Sequence, residues 1–166
     1  MATLLFDLLT AAEEEADAYT GHLRFNIPLL ASRLMAATDW VFRQEPTRGI
    51  SIGYFGSSTG AAAALVAAAE LNERINAVVS RGGRPDLAGE ALEQVRAATL
   101  LIVGGDDTPV IELNELAYAR LKCEKALRLI PGATHLFEEP GTLEQVARLA
   151  SVWFAEHLQL HPQHSS

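Results

Sequence analysis

Short, continuous apolar runs alternate with segments of helical period from one end of the chain to the other. Residues 3–8 (TLLFDL) read as a first strand, and residues 9–26 as a polar loop or short helix. Pro28 opens a helix to about Arg43, with Asn26 as its cap and Leu30, Leu34, Ala37 and Val41 along one face. Residues 50–55 read as a strand, followed by an alanine-rich helix over 59–71. A third strand falls at 77–80 (AVVS), a short helix near Leu92, and a fourth strand at 99–103 (TLLIV). Val110, Leu113, Ala117 and Leu121 form a helical stripe before a fifth strand at 126–130 (ALRLI). Thr142-Leu143-Glu144-Gln145 has the form of a capping box, opening a last helix that buries Leu143, Val146, Ala150 and Trp153. Trp40 also lies at helical spacing and reads as core. Strands that are apolar throughout, separated by helices, predict a mainly parallel sheet covered on both faces. The fold class is therefore α/β, a three-layer sandwich, in one domain over 1–158 with a polar tail at 159–166.

Composition narrows the function classes. With 166 residues, 49% of them hydrophobic, the chain can bury a real core, and no apolar run reaches the length of a membrane helix. The opening MATLLFDLLTAA carries Asp7 and lacks a basic start, so it reads as a strand rather than a signal peptide. The one cysteine, Cys123, excludes an internal disulfide, fits a cytoplasmic protein and reads as a structural thiol. The net charge of −8 argues against nucleic acid and anionic membranes as partners. Glu13, Glu14, Glu15 and Asp17 read as a solvated loop or helix start. The histidines are scattered, none at ligand spacing from a cysteine or carboxylate, so no metal site is expected.

Candidate chemistry begins at Gly56-Ser57-Ser58-Thr59-Gly60, between a strand and a helix. In that setting G-x-S-x-G is a nucleophile elbow, which holds Ser58 in a strained turn with its hydroxyl exposed. Gly56 and Gly60 are expected where a side chain would strike a neighbouring element. The other reading is a plain glycine-rich turn, including a flavodoxin-like phosphate binder. Asp106 and Asp107 follow the fourth strand, and His135 follows the fifth. Either aspartate could instead be a turn residue and the histidine a surface one. The order Ser, Asp, His, each beyond a strand end, is that of α/β-hydrolase triads: a base takes the serine proton and an acid orients the base.

Five segments carry a more specific resemblance: LLFDLLT, GYFGSSTGAAAAL, VVSRGGRPDLAG, LLIVGGDDTPVIELN and CEKALRLIPGATHLFEEPGTLEQVARLA. They resemble the dienelactone hydrolase-like branch of the α/β-hydrolases, and within it serine-dependent members found joined to or beside a phosphoribosyltransferase domain. The resemblance implies Ser58 as nucleophile, His135 as base, Asp107 as acid with Asp106 as fallback, and the Thr59 N–H as an oxyanion donor. It implies no cofactor. Dienelactone hydrolases proper use cysteine; serine here favours small carboxylic esters. Family members carry further strands ahead of residue 1, so the expectation is an α/β-hydrolase fold truncated at its amino end. A loop after those strands supplies a second oxyanion donor, whose loss typically costs on the order of 100- to 1,000-fold in rate. The alternative reading is therefore a weak or inactive binding subunit of the same fold. The first strand is expected to close onto the elbow strand, or the exposed edge to pair with another copy, giving a homodimer or higher oligomer. Arg81 is a candidate for a substrate carboxylate; the other possibility for Arg81 and Arg84 is a salt bridge to Asp86 or Glu90.

Overall fold

The computed structural model describes residues 1–158, and the expected tail at 159–166 lies outside the described residues. Four strands, β1 (Ile52–Ser57), β2 (Ile75–Arg81), β3 (Ala98–Gly104) and β4 (Lys125–Ile130), form a sheet in the order β1-β2-β3-β4. All three pairings are parallel. Helices α1 (Ala11–Thr20), α2 (Ile27–Arg43), α3 (Thr59–Leu71), α4 (Thr108–Arg120) and α5 (Thr142–His157) complete the fold, with a 3-10 segment at Pro85–Gln94. An α/β sandwich with helices on both faces of a parallel sheet is thus the observed architecture.

Period-2 alternation along the strands builds two cores. Val78 and Leu101 face Leu30, Leu65, Leu92 and Leu121 on one side. Val79, Leu100 and Ile102 face Phe137, Val146 and Ala150 of the α5 side. Every residue of β3 is buried, which explains its continuous apolar run. The alanines of α3 are buried from Ala61 to Ala64 and let that helix lie close to the sheet. Behind β1, Thr38 donates to the Leu34 carbonyl, so the buried Tyr54 hydroxyl donates to Thr38 at 2.6 Å. Burial pushes that phenol up to about 12.

The amino end departs from expectation. Residues 3–8 form no strand; residues 1–7 are exposed, Leu5 at 93%, and β1 pairs with β2 alone. The run has strand composition, but among the described residues it pairs with no strand. The first strand therefore does not close onto the elbow strand, and among the described residues the sheet has four strands rather than five. The capping box also lies elsewhere. Thr10 and Glu13 make it reciprocally at the start of α1, whereas α5 is capped by Gly141 and the Thr142 hydroxyl donates to the Phe137 and Glu139 carbonyls.

The acidic cluster is a helix start, as expected, with Glu14 and Glu15 exposed, but two of its members do more. Glu13 also receives both Arg33 nitrogens, and Asp17 is buried, accepting from the Leu23 N–H and Arg24 Nε. Trp40 is 57% exposed and Leu143 lies at the rim of α5, so neither belongs to the core. Trp153 is half-buried and donates through Nε1 to the Ala98 carbonyl. Cys123 lies just beyond α4; burial pushes its thiol pKa up, as suits a structural cysteine. No helix among the described residues is long and apolar enough to cross a membrane.

Candidate active site

The parallel register places the carboxyl ends of all four strands side by side: Ser57 is opposite Arg81, Arg81 opposite Ile102, and Gly104 opposite Ile130. Ser58, Asp107 and His135 each follow one of these ends and Arg81 closes another, where open α/β sheets place their ligands.

Ser58 joins β1 to α3 with φ 51° and ψ −128°. A non-glycine residue rarely adopts such a conformation, and it persists only where its surroundings enforce it. Enforcement is visible here. A Cβ on Gly56 would lie 2.6 Å from the Gly60 carbonyl oxygen, so only glycine lets the strand pass so close to the helix start. Gly60 itself has open space where its Cβ would be, so the expected collision there does not exist. The Ser58 carbonyl accepts from the Arg84 N–H at 3.0 Å and the Ala61 N–H at 3.2 Å, which ties the turn to both the next loop and its own helix. The Ser58 side chain caps nothing and is exposed; the Thr59 N–H stands at the first position of α3, where amides have no partner within the helix.

Asp107 and His135 meet. Nδ1 of His135 lies 2.9 Å from Oδ2 of Asp107. A carboxylate only accepts, so Nδ1 donates, and in the neutral imidazole this tautomer leaves the lone pair on Nε2. The Asp107 side chain is 13% exposed and the imidazole 43%, a shielded acid behind an accessible base. Asp106 is exposed and contributes its N–H to the Ala133 carbonyl, so Asp107 is the aspartate on the histidine. The two loops are pressed together: Gly105 N–H donates to the Ile130 carbonyl, and a Cβ on Gly104 would lie 2.3 Å from the Ala133 oxygen. His135 also crosses the loop after β2, where its Nδ1 is 3.7 Å from the position of a Cβ on Gly82. That same loop reaches the Ser58 carbonyl through Arg84.

The two arginines differ. Arg84 makes a two-point ion pair with Asp86 at 2.9 and 2.8 Å, the structural role that the sequence left open. Arg81 lies over the Phe137 ring at 5.7 Å, and among the described residues it forms no ion pair and its buried Nε has no hydrogen-bond partner. Glu139 was missed in the sequence. Its Oε1 accepts from both the N–H and the hydroxyl of Thr134, beside His135, and those bonds hold its carboxyl below the usual range. The only sequence signal is an acid shortly after the histidine, in HLFEEP. Among the described residues no group of three or more His, Cys, Asp or Glu could hold a metal. Two surface concavities, one at the amino ends of the strands by Asn72 and Cys123 and one by Ile27 and Leu87, include none of Ser58, Asp107 and His135.

A parallel sheet with a strained serine after one strand and an acid–histidine pair after two others defines the class: an α/β-hydrolase fold. The chain superposes on the crystal structure of a dienelactone hydrolase from Anabaena variabilis with a TM-score of 0.88 and 61% identity, over 92% of this chain and 71% of that one. It belongs to the dienelactone hydrolase-like family of α/β-hydrolases. A dienelactone hydrolase-like promiscuous phosphotriesterase from metagenomic libraries shares the fold at 18% identity, TM-score 0.67, over 90% of this chain and 68% of that one. Two Mycobacterium tuberculosis proteins, provisionally named phosphoribosyl transferases, are 59% identical over 157 residues, 95% of this chain. The chain spans about a third of their length (34%). No family model matches it.

Proposed function

We propose that this chain is a serine hydrolase that cleaves small carboxylic esters through an acyl-enzyme. The observation that carries the reading is the 2.9 Å contact of His135 Nδ1 with Asp107 Oδ2, with His135 against the loop after β2 that also bonds the Ser58 carbonyl. Ser58 Oγ attacks the ester carbonyl and its proton passes to His135 Nε2. The negative charge on the carbonyl oxygen meets the Thr59 N–H at the positive end of α3. The C–O bond to the leaving alcohol then breaks, and His135 returns the proton to that alcohol. Water attacks the acyl-serine by the same route, with His135 as base, and the free acid leaves. Asp107 holds the tautomer and stabilises the imidazolium.

Arg81, at the end of β2 and without an ion-pair partner among the described residues, binds a carboxylate on the substrate in this reading; Arg84, already paired with Asp86, does not. The chain corresponds to the hydrolase part of serine-dependent members that accompany phosphoribosyltransferase domains. That accounts for its matching only a third of relatives named for the transferase.

Hydrolysis of p-nitrophenyl acetate by the wild type and by Ser58→Ala tests the proposal. Turnover lost in the variant supports it. Equal background rates in both proteins contradict it and favour a binding subunit of the same fold.

A further inference from the structure

His135 lies on a loop over residues 131–141 without regular structure, and its ring is partly exposed to solvent. An imidazole so placed keeps one direction only if the backbone beside it is held. Three anchors hold this loop. Phe137 is buried at 1% exposure with φ 57°, and its N–H donates to the Thr134 carbonyl. The Thr142 hydroxyl donates to the Phe137 and Glu139 carbonyls at 2.9 and 2.7 Å. The third anchor is Glu139, whose Oε1 takes the Thr134 N–H at 3.1 Å and the Thr134 hydroxyl as well.

We propose that Glu139 is a positioning residue for His135: its carboxylate clips Thr134, the residue before the histidine, and so sets the direction from which the imidazole meets Asp107. The role rests on the serine-hydrolase reading, because it matters to turnover only if His135 is the base. Ala133, one residue earlier, is fixed by its N–H to the Ile130 carbonyl and by the Asp106 N–H. Phe137 is fixed by burial. The stretch between them, Thr134–His135–Leu136, is exposed, and of its side chains only Thr134 and His135 make hydrogen bonds. Bonds to a charged oxygen are stronger than neutral ones, and two converge on this one. Removing the clip frees this stretch while leaving the fold anchored at Phe137 and Thr142. Glu138, the preceding residue, is exposed and makes no hydrogen bond or ion pair among the described residues, which makes it the control.

The test compares Glu139→Ala, Glu139→Gln and Glu138→Ala with the wild type by ester kinetics, thermal melting and the downfield NMR signal of the His135 Nδ1 proton. Glu139→Gln keeps an acceptor oxygen for Thr134 and is expected to stay within about threefold of wild-type kcat, as is Glu138→Ala. Glu139→Ala is expected to lose roughly 10- to 100-fold in kcat with KM unchanged, the scale of a small misplacement of a catalytic group. Its Nδ1 proton signal is expected to broaden or vanish. A Glu139→Ala protein that melts lower but keeps wild-type kcat and a sharp Nδ1 signal overturns the proposal. Absence of Ser58-dependent turnover in every protein overturns the hydrolase reading instead; the Nδ1 signal still decides the role of Glu139.

Discussion

The turn after β1 and the segment before α1 are both short and rich in small or apolar residues, yet one is over-determined and the other is not. At the turn, Ser58 holds an unfavourable φ and ψ because Gly56, the Arg84 N–H and the first turn of α3 leave it no alternative. Residues 1–7 have good strand composition but pair with no strand among the described residues, and they stay exposed. The contrast shows that conformation here follows from what lies across from a residue more than from its own propensity. It also separates a place where strain is maintained, and chemistry is expected, from one where nothing is at stake in the described structure.

The largest expected effect sharpens the first half of that contrast. Asp107→Asn leaves the fold intact but frees the wrong imidazole tautomer, and ester hydrolysis is expected to fall on the order of 10⁴-fold. Asp106→Asn is expected to leave kcat near wild type, measured on the same substrate.

Next in size is a pair of glycines. Gly56→Ala pushes a Cβ against the Gly60 backbone and is expected to destabilise by about 1–3 kcal/mol, with activity lost alongside. Gly60→Ala meets open space at the start of a helix and is expected to be neutral or to stabilise by up to about 1 kcal/mol. Chemical denaturation of the two variants checks both; equal losses would contradict the account of the elbow.

The other half of the contrast predicts small effects. Leu5→Ser, at 93% exposure, is expected to change stability by less than about 0.5 kcal/mol. Phe55 on β1 is also exposed, at 51%, beside the strand's unpaired outer edge. If that edge pairs two copies, as expected from sequence, sedimentation equilibrium gives a dimer that Phe55→Lys dissociates. A monomeric wild type contradicts that arrangement.

The smallest effect is at Glu13, whose hydrogen bonds from Arg33 lower its pKa from 4.5 to about 2. A depressed carboxyl stabilises the fold fully above 4.5 and progressively less as pH falls toward 2. The melting-temperature gap between wild type and Glu13→Gln is therefore expected to shrink between pH 5 and about 2.

How legible these features were depended on how local they are. The four central strands and the helices after them lie within a few residues of their expected places, because a buried parallel strand declares itself as an apolar run. The elbow and the residues after β3 and β4 were legible for the same reason: each is a strand end with a distinctive residue. What escaped depends on distant partners. The run at 3–8 is a strand only beside another strand. The box at Thr142 needed a free hydroxyl, which instead donates to the Phe137 and Glu139 carbonyls. Gly60 looked necessary by analogy with Gly56, yet the space beside it is open. Finding Glu139 required knowing which loops touch, whereas the resemblance had already preferred Asp107 to Asp106, the aspartate that meets His135.

The most direct test of the central claim is mass spectrometry after treatment with a fluorophosphonate, which phosphonylates activated serines. The account predicts a single adduct on Ser58, absent in His135→Ala and unaffected by Ser57→Ala. An unlabelled wild type, or an adduct that survives loss of His135, would contradict it.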